Sequence, residues 1–349
     1  MLLNKTECTA LRGLAITAIA LHNYCHFIGG VVQENEYIFR QTNADRMLTL
    51  LAEADRLLPV HLLSFFGHYG VPLFLFLSGY GLVLKYETHA GTAQPQSSTC
   101  HFLRYHYLKL LRLLLVGLSL FVVVDVLTPG RFHFEWQHVV EQLTMVINFE
   151  ATPQRVIWPG IYWFFGLMMQ LYLVYRLLFY RRTTALAAGL VAACWLAQAC
   201  CDADGPLLNW LRYNCVGAML PFVAGIATAR HKAQTAWSRT VWAAIAMTAT
   251  LLMLPASLWF QTWLWAPLIA ITASVALVKC LPQTLLTGAE WTGALSAVIF
   301  IIHPTTRKLL IGVAQRDGAY DGLMLYVLVT LTLAFTVRLL LRHIPTPRP

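Results

Sequence analysis

Charge is scarce in this sequence. Only 12% of its 349 residues are charged, against a usual share of about 25%. Acids are the scarcer sign, with 16 Asp and Glu against 25 Lys and Arg. A soluble domain cannot hide a chain that is 58% hydrophobic, so the composition excludes a water-soluble enzyme. The eight cysteines, Cys8, Cys25, Cys100, Cys194, Cys200, Cys201, Cys215 and Cys280, lack zinc-ligand spacing. They read as small buried thiols, with a pairing of Cys200 or Cys201 to Cys215 left open, and no metal is expected. There is no internal repeat, no low-complexity tract and no GxSxG elbow for a nucleophilic serine. No cleavable signal peptide is expected, because the apolar run after MLLNKTECTALRG has no small-residue cleavage site. The net charge of +9 does not mark a nucleic-acid partner, since the basic residues fall in short clusters between apolar runs.

Long apolar runs are what the sequence has in abundance. A bilayer core of roughly 30 Å takes about twenty helical residues, and ten runs meet that need. They lie near 10–30, 62–84, 108–128, 161–180, 184–202, 213–230, 239–258, 262–281, 291–312 and 321–342. The expectation is an all-α polytopic membrane protein, about ten transmembrane helices in one bundle, forming a single domain over 1–349. Clusters such as Lys85, Arg104, Lys109 and Arg112, then Arg230, Lys232 and Arg239, then Arg338, Arg342 and Arg348 fall between spans on one side. The positive-inside bias therefore sets both termini in the cytoplasm. Two segments on the other side, DRMLTLLAEADRLL and FEWQHVVEQLTMVINF, read as amphipathic interfacial helices that roof a cavity.

Leu11 to Gly30 carries polar groups that an anchor would not need. Ionisable side chains at membrane depth cost about 2.5–3.5 kcal/mol each on insertion scales, yet Arg12, His22, Asn23 and His26 are present. His22 and His26 lie one turn apart on a shared face. Arg12 lies about 15 Å along the axis from His22 and about 80° around it. Imidazole titrates near neutral pH, and its neutral form accepts a proton from a hydroxyl, so His22 is a candidate general base.

Other spans add polar groups. The second carries His68 near one end and Ser78-Gly79-Tyr80-Gly81 near the other, where small residues let a ligand approach. Arg104, Lys109 and Arg112 stand at the entry to the third and suit the phosphates of a donor. The fourth opens with Tyr162-Trp163-Phe164-Phe165 and holds Gln170, whose amide needs partners in lipid. In the ninth, His303-Pro304 is expected to break the helix and line a cavity.

Taken in order, LRGLAI…H, GVPLFLFLSGY, FLRYHYLKLLR, WFFGLMMQLYLVY, LPFVAGI and IFIIHP resemble the membrane acyltransferase 3 family over nearly the whole chain. The resemblance implies an integral-membrane enzyme, in bacteria of the cytoplasmic membrane. It would move an acyl group, most often acetyl, from cytoplasmic acyl-CoA to a hydroxyl of an envelope glycan, with no permanently bound cofactor. The family's first-span arginine and histidine map onto Arg12 and His22. Here nine residues separate that pair where the family commonly has ten, so Asn23 takes the aligned slot and His26 is a rival base. Arg104, Lys109, Arg112, Ser78 and Tyr80 are expected to hold the donor, and His68, Trp163, Gln170 and His303 to line the substrate path. A glycan or lipid-linked transporter or flippase is the alternative, against which stands the lack of paired broken helices.

Overall fold

A computed structural model describes residues 2–88, 98–231 and 237–347. Lys232 and Arg348, part of the basic clusters, lie outside the described residues. The described chain is helical throughout, with no strand. Its helices are α1 Lys5–Cys25, α2 Gln41–Glu53, α3 Leu58–Phe66, α4 Gly70–Tyr86, α5 Thr99–Leu127, α6 Trp136–Leu143, α7 Pro153–Val156 and α8 Trp163–Val174. There follow α9 Thr184–Ala199, α10 Pro206–Tyr213, α11 Cys215–Arg230, α12 Arg239–Ala256, α13 Phe260–Trp263, α14 Ala266–Cys280, α15 Gln283–Arg316 and α16 Ala319–Leu341.

Helices occupy all ten expected spans, but not all meet the length and apolarity of a crossing. Among the described residues six do: Leu58–Tyr86, Thr99–Leu127, Gly160–Phe179, Arg239–Ala256, Gln283–Arg316 and Ala319–Leu341. Helices α9, α11 and α14 are apolar but have 16, 16 and 15 residues, about 22–24 Å at 1.5 Å per residue. Helix α1 is long enough, yet Arg12, His22 and Asn23 dilute its apolarity.

Three expectations change. Ser98 accepts a hydrogen bond from the His101 N–H and caps α5, so FLRYHYLK is the first turns of that helix and not a loop before it. Helix α15 runs unbroken through Pro304. Proline there removes one N–H, but the surrounding turn is buried from Ile301 to Arg307, and the Tyr162 hydroxyl donates to the Ile301 carbonyl at 2.6 Å. The eight cysteines are free thiols as expected, but only Cys25 is buried, and Cys100 and Cys200 are exposed.

Helix α1 sits at the centre of the bundle, against α15, α4 and α3. Its start is fixed by a capping box between Asn4 and Glu7, and Glu7 also pairs with Lys279 of α14 at 2.9 Å. Backbones of α1 and α15 touch at Gly13 and Gly293, where a Cβ on either would strike the other helix's carbonyl. Further ion pairs join Glu87 to Arg230 at 2.9 Å and Asp125 to Lys308. These contacts fix α1 against the elements that complete the site.

Candidate active site

A cavity of about 690 Å³ runs beside α1 from Arg12 to Phe27. Residues 12, 19, 22 and 23 of α1 and its C-cap His26 line it, which helical geometry places within a sector of about 100°. At the end nearer the α1 N-terminus the wall carries Arg12, Lys85, His106 and Lys109. Arg12 makes no hydrogen bond or ion pair among the described residues and is exposed. The Lys85 ammonium lies 4.4 Å from the Tyr105 ring centre, and His106 stacks on Tyr172 at 4.0 Å.

The middle of the cavity is apolar, with Val71, Phe74, Leu77 and Phe300 in its wall. Ser78 also faces it, but its hydroxyl donates back to the Phe74 carbonyl at 2.7 Å, the usual habit of a helical serine.

The far end holds the chemistry. His22, only 4% exposed, has Nδ1 2.7 Å from the Ser64 carbonyl. A carbonyl only accepts, so Nδ1 carries the proton and Nε2 keeps its lone pair. The His22 ring lies 5.7 Å from those of His26 and His68. Gly67 makes this seat possible, since a Cβ there would fall 2.6 Å from His22 Cβ. His26 donates from Nδ1 to Glu34 Oε2 at 2.5 Å, a carboxylate orienting an imidazole.

Glu34 and Glu36 reach the cavity because residues 31–40 are pinned from several sides. Ser64 donates to the Val32 carbonyl at 2.6 Å, Asn43 to the Glu34 carbonyl at 2.9 Å and Trp263 to the Asn35 carbonyl at 2.7 Å. Arg212 donates to the Glu36 carbonyl at 2.6 Å. The roof is thus this loop and the segment bearing Gln154 and Trp158. Helices α2 and α6 form but contribute no lining residue, so they do not roof the cavity as expected.

Burial opposes the Glu34 charge, yet the His26 hydrogen bond and the charges of His22 and His26 outweigh it and hold the pKa at about 2. Burial and then the Glu34 charge push Glu36 up to about 8, against the pull of Arg212. The two acids therefore act oppositely on stability. The Glu34 contribution is complete above the ordinary value of 4.5 and is lost as pH falls toward 2. The Glu36 contribution is complete below 4.5 and is lost as pH rises through about 8. In thermal unfolding against pH, Glu34→Gln flattens the acid side of the profile; an unchanged acid side would contradict this account of the loop.

The cavity brings together Arg12, His22, His26, Ser78, Lys109 and Trp163 of the expected site. The others lie outside its wall. On α5, Lys109 lies about 60° from His106 while Arg104 lies about 160° from it, on the opposite face; Arg104 is exposed. Arg112 turns toward α16 and donates to the Leu341 carbonyl. The Tyr80 hydroxyl is tied to Leu3, donating to its carbonyl at 3.1 Å. Gln170 joins α8 to the start of α11 through Asn214 at 2.7 Å and the Cys215 N–H at 2.9 Å. His68 lines a neighbouring pocket of about 40 Å³ with Glu36 and Arg212. His303 is fully buried, its Nδ1 donating to the Ile299 carbonyl at 3.1 Å.

Sequence reasoning passed over Glu34, Glu36, Lys85, His106 and Arg307, all in the cavity wall. Arg307 stood in plain view as a cation within an apolar run; the two glutamates had no signal beyond loop polarity. His22, His26 and Glu34 offer ligand atoms within 4.8 Å of one another and by type suit a divalent cation. As they stand, a proton joins His26 to Glu34.

The family profile described as an acyltransferase domain matches residues 7–342 of this chain. No curated protein and no solved structure matches it.

Proposed function

Because the chain belongs to the membrane acyltransferase family whose profile spans residues 7–342, and is a multi-pass acyltransferase, we propose that it carries acyl groups from one membrane face to the other. The donor is acyl-CoA, most simply acetyl-CoA, entering from the cytoplasm at the mouth formed by Arg12, Lys85 and Lys109. The acceptor is a hydroxyl of an envelope glycan reaching the loop-covered end. Ten spans in a bacterial cytoplasmic membrane, with both termini in the cytoplasm, give the cavity that direction. The observation that carries the reading is one cavity reaching from the basic cluster to both histidines.

His22 Nε2 takes the proton of the acceptor hydroxyl as the oxygen attacks the thioester carbonyl. The carbon–sulfur bond breaks, and the CoA sulfur leaves toward the basic mouth with the proton that His22 took from the acceptor, which restores the neutral imidazole. The negative Glu34, 2.5 Å from His26, stabilises the imidazolium formed beside it. A second reading makes His26 the base, and the His26–Glu34 hydrogen bond favours it. Apolar walls between mouth and histidines suit the pantetheine arm and keep water from the thioester.

Calorimetric titration of the detergent-purified protein with CoA tests the proposal. Saturable binding is expected. A glycan flippase would give no heat with CoA, and that result would remove the donor from the account.

A further inference from the structure

The reaction so described leaves Arg307 without a task. Its side chain stands on α15 one turn beyond His303 and lines the same end of the cavity as His22 and His26. It is 6% exposed. A guanidinium does not escape burial by losing its proton, and a buried charge without a counter-charge costs several kcal/mol.

None of the ion pairs among the described residues includes Arg307. Its nearest support is slight. One N–H reaches Asn23 Oδ1 at 3.4 Å, and Asn23 is itself held by donating to the Ile19 carbonyl at 3.1 Å. The guanidinium lies 3.8 Å from the centre of the Phe27 ring. Stacking of this kind fixes the guanidinium plane and leaves the N–H groups on its edge to bond a planar or tetrahedral anion. The two acids nearby in the wall do not serve. Glu34 is engaged by His26, and Glu36 holds its proton up to about pH 8.

We propose that Arg307, set by Asn23 and Phe27, is a subsite for an anionic group, carboxylate or phosphate, that the acceptor carries near the hydroxyl to be acylated. The word acceptor rests on the acyl-transfer reading above; the anion site itself does not. The phosphates of CoA are not its occupant in this account, because Lys85 and Lys109 hold them at the other end of the cavity. The acceptor class that follows is an acidic sugar: a uronic acid if the anion is a carboxylate, a phosphosugar if it is a phosphate.

The test is a binding series on full-length protein in lipid nanodiscs, with a methyl glucuronide, a hexose phosphate and a neutral methyl glucoside as probes. At least one acid binds about tenfold or more tighter than the neutral glycoside, the effect of one charge-assisted hydrogen bond. The acid that does so names the anion. The preference collapses in Arg307→Gln and persists in part in Arg307→Lys. Equal binding of all three probes, binding of none, or a preference that survives Arg307→Gln overturns the subsite. The wild-type ranking decides even if a variant fails to fold. CoA titration of the same samples separates the two claims, since loss of CoA binding strikes the acyl-transfer reading and leaves the anion preference standing or falling by itself.

Discussion

Replacing His22 with alanine lowers kcat by about 100- to 10,000-fold, the usual contribution of a general base, while membrane insertion and CoA binding persist. The ring's Nδ1 is committed to the Ser64 carbonyl, so only Nε2 can accept a proton, and alanine removes it. The substitution shortens one side chain that already borders a cavity, so little packing is lost. The companion variants separate the two histidines. With His22 as base, His26→Ala and Glu34→Gln each cost less than His22→Ala, because the first removes the ring that holds Glu34 in place and the second the charge that stabilises the imidazolium, and neither removes the proton acceptor. A larger loss in His26→Ala than in His22→Ala transfers the role to His26 with Glu34 as its orienting carboxylate. Full activity in His22→Ala and His26→Ala alike would dismiss the site.

Neutralising Lys85 and Lys109 together raises the KM for acyl-CoA about tenfold or more with kcat nearly unchanged, the signature of an interaction made equally in ground and transition states. Two charge-assisted contacts to phosphate account for an effect of that size. The control is on α5, the helix of Lys109. Arg104→Gln and Arg112→Gln leave KM within about twofold, since an exposed charge off the path contributes little and Arg112 is spent on the Leu341 carbonyl. The reverse ranking, with Arg104 or Arg112 sensitive and the lysines not, would place the donor outside the cavity.

These two predictions also mark where sequence stopped being informative. Because apolar segments leave a strong one-dimensional trace, the apolar runs located the helices, although α5 begins at Thr99 and α15 at Gln283, ahead of the expected 108 and 291. The two histidines one turn apart on α1 were legible for the same reason: polar groups stand out against oil. The basic cluster of α5 was legible as a cluster but not as a site. Whether Arg104, Lys109 or Arg112 faces the cavity depends on rotation about the helix axis, which neighbours α15 and α8 fix and no local pattern records. His303-Pro304 misled in the opposite direction. Proline at that position was expected to open the helix, and packing on all sides of the turn keeps it closed. Glu34 and Glu36 were invisible because a loop's tertiary hydrogen bonds, from Ser64, Asn43, Trp263 and Arg212, set their direction.

Acyl transfer of this kind needs a single passage carrying the donor from the basic mouth to the imidazoles. The most direct measurement is a cryo-electron microscopy structure of the wild-type protein with CoA bound. The expected density places the phosphates at Lys85 and Lys109 and the sulfur beyond Ser78, facing His22. CoA seated against Arg104 or Arg112, or a thiol end that stops short of α1's histidines, would contradict it.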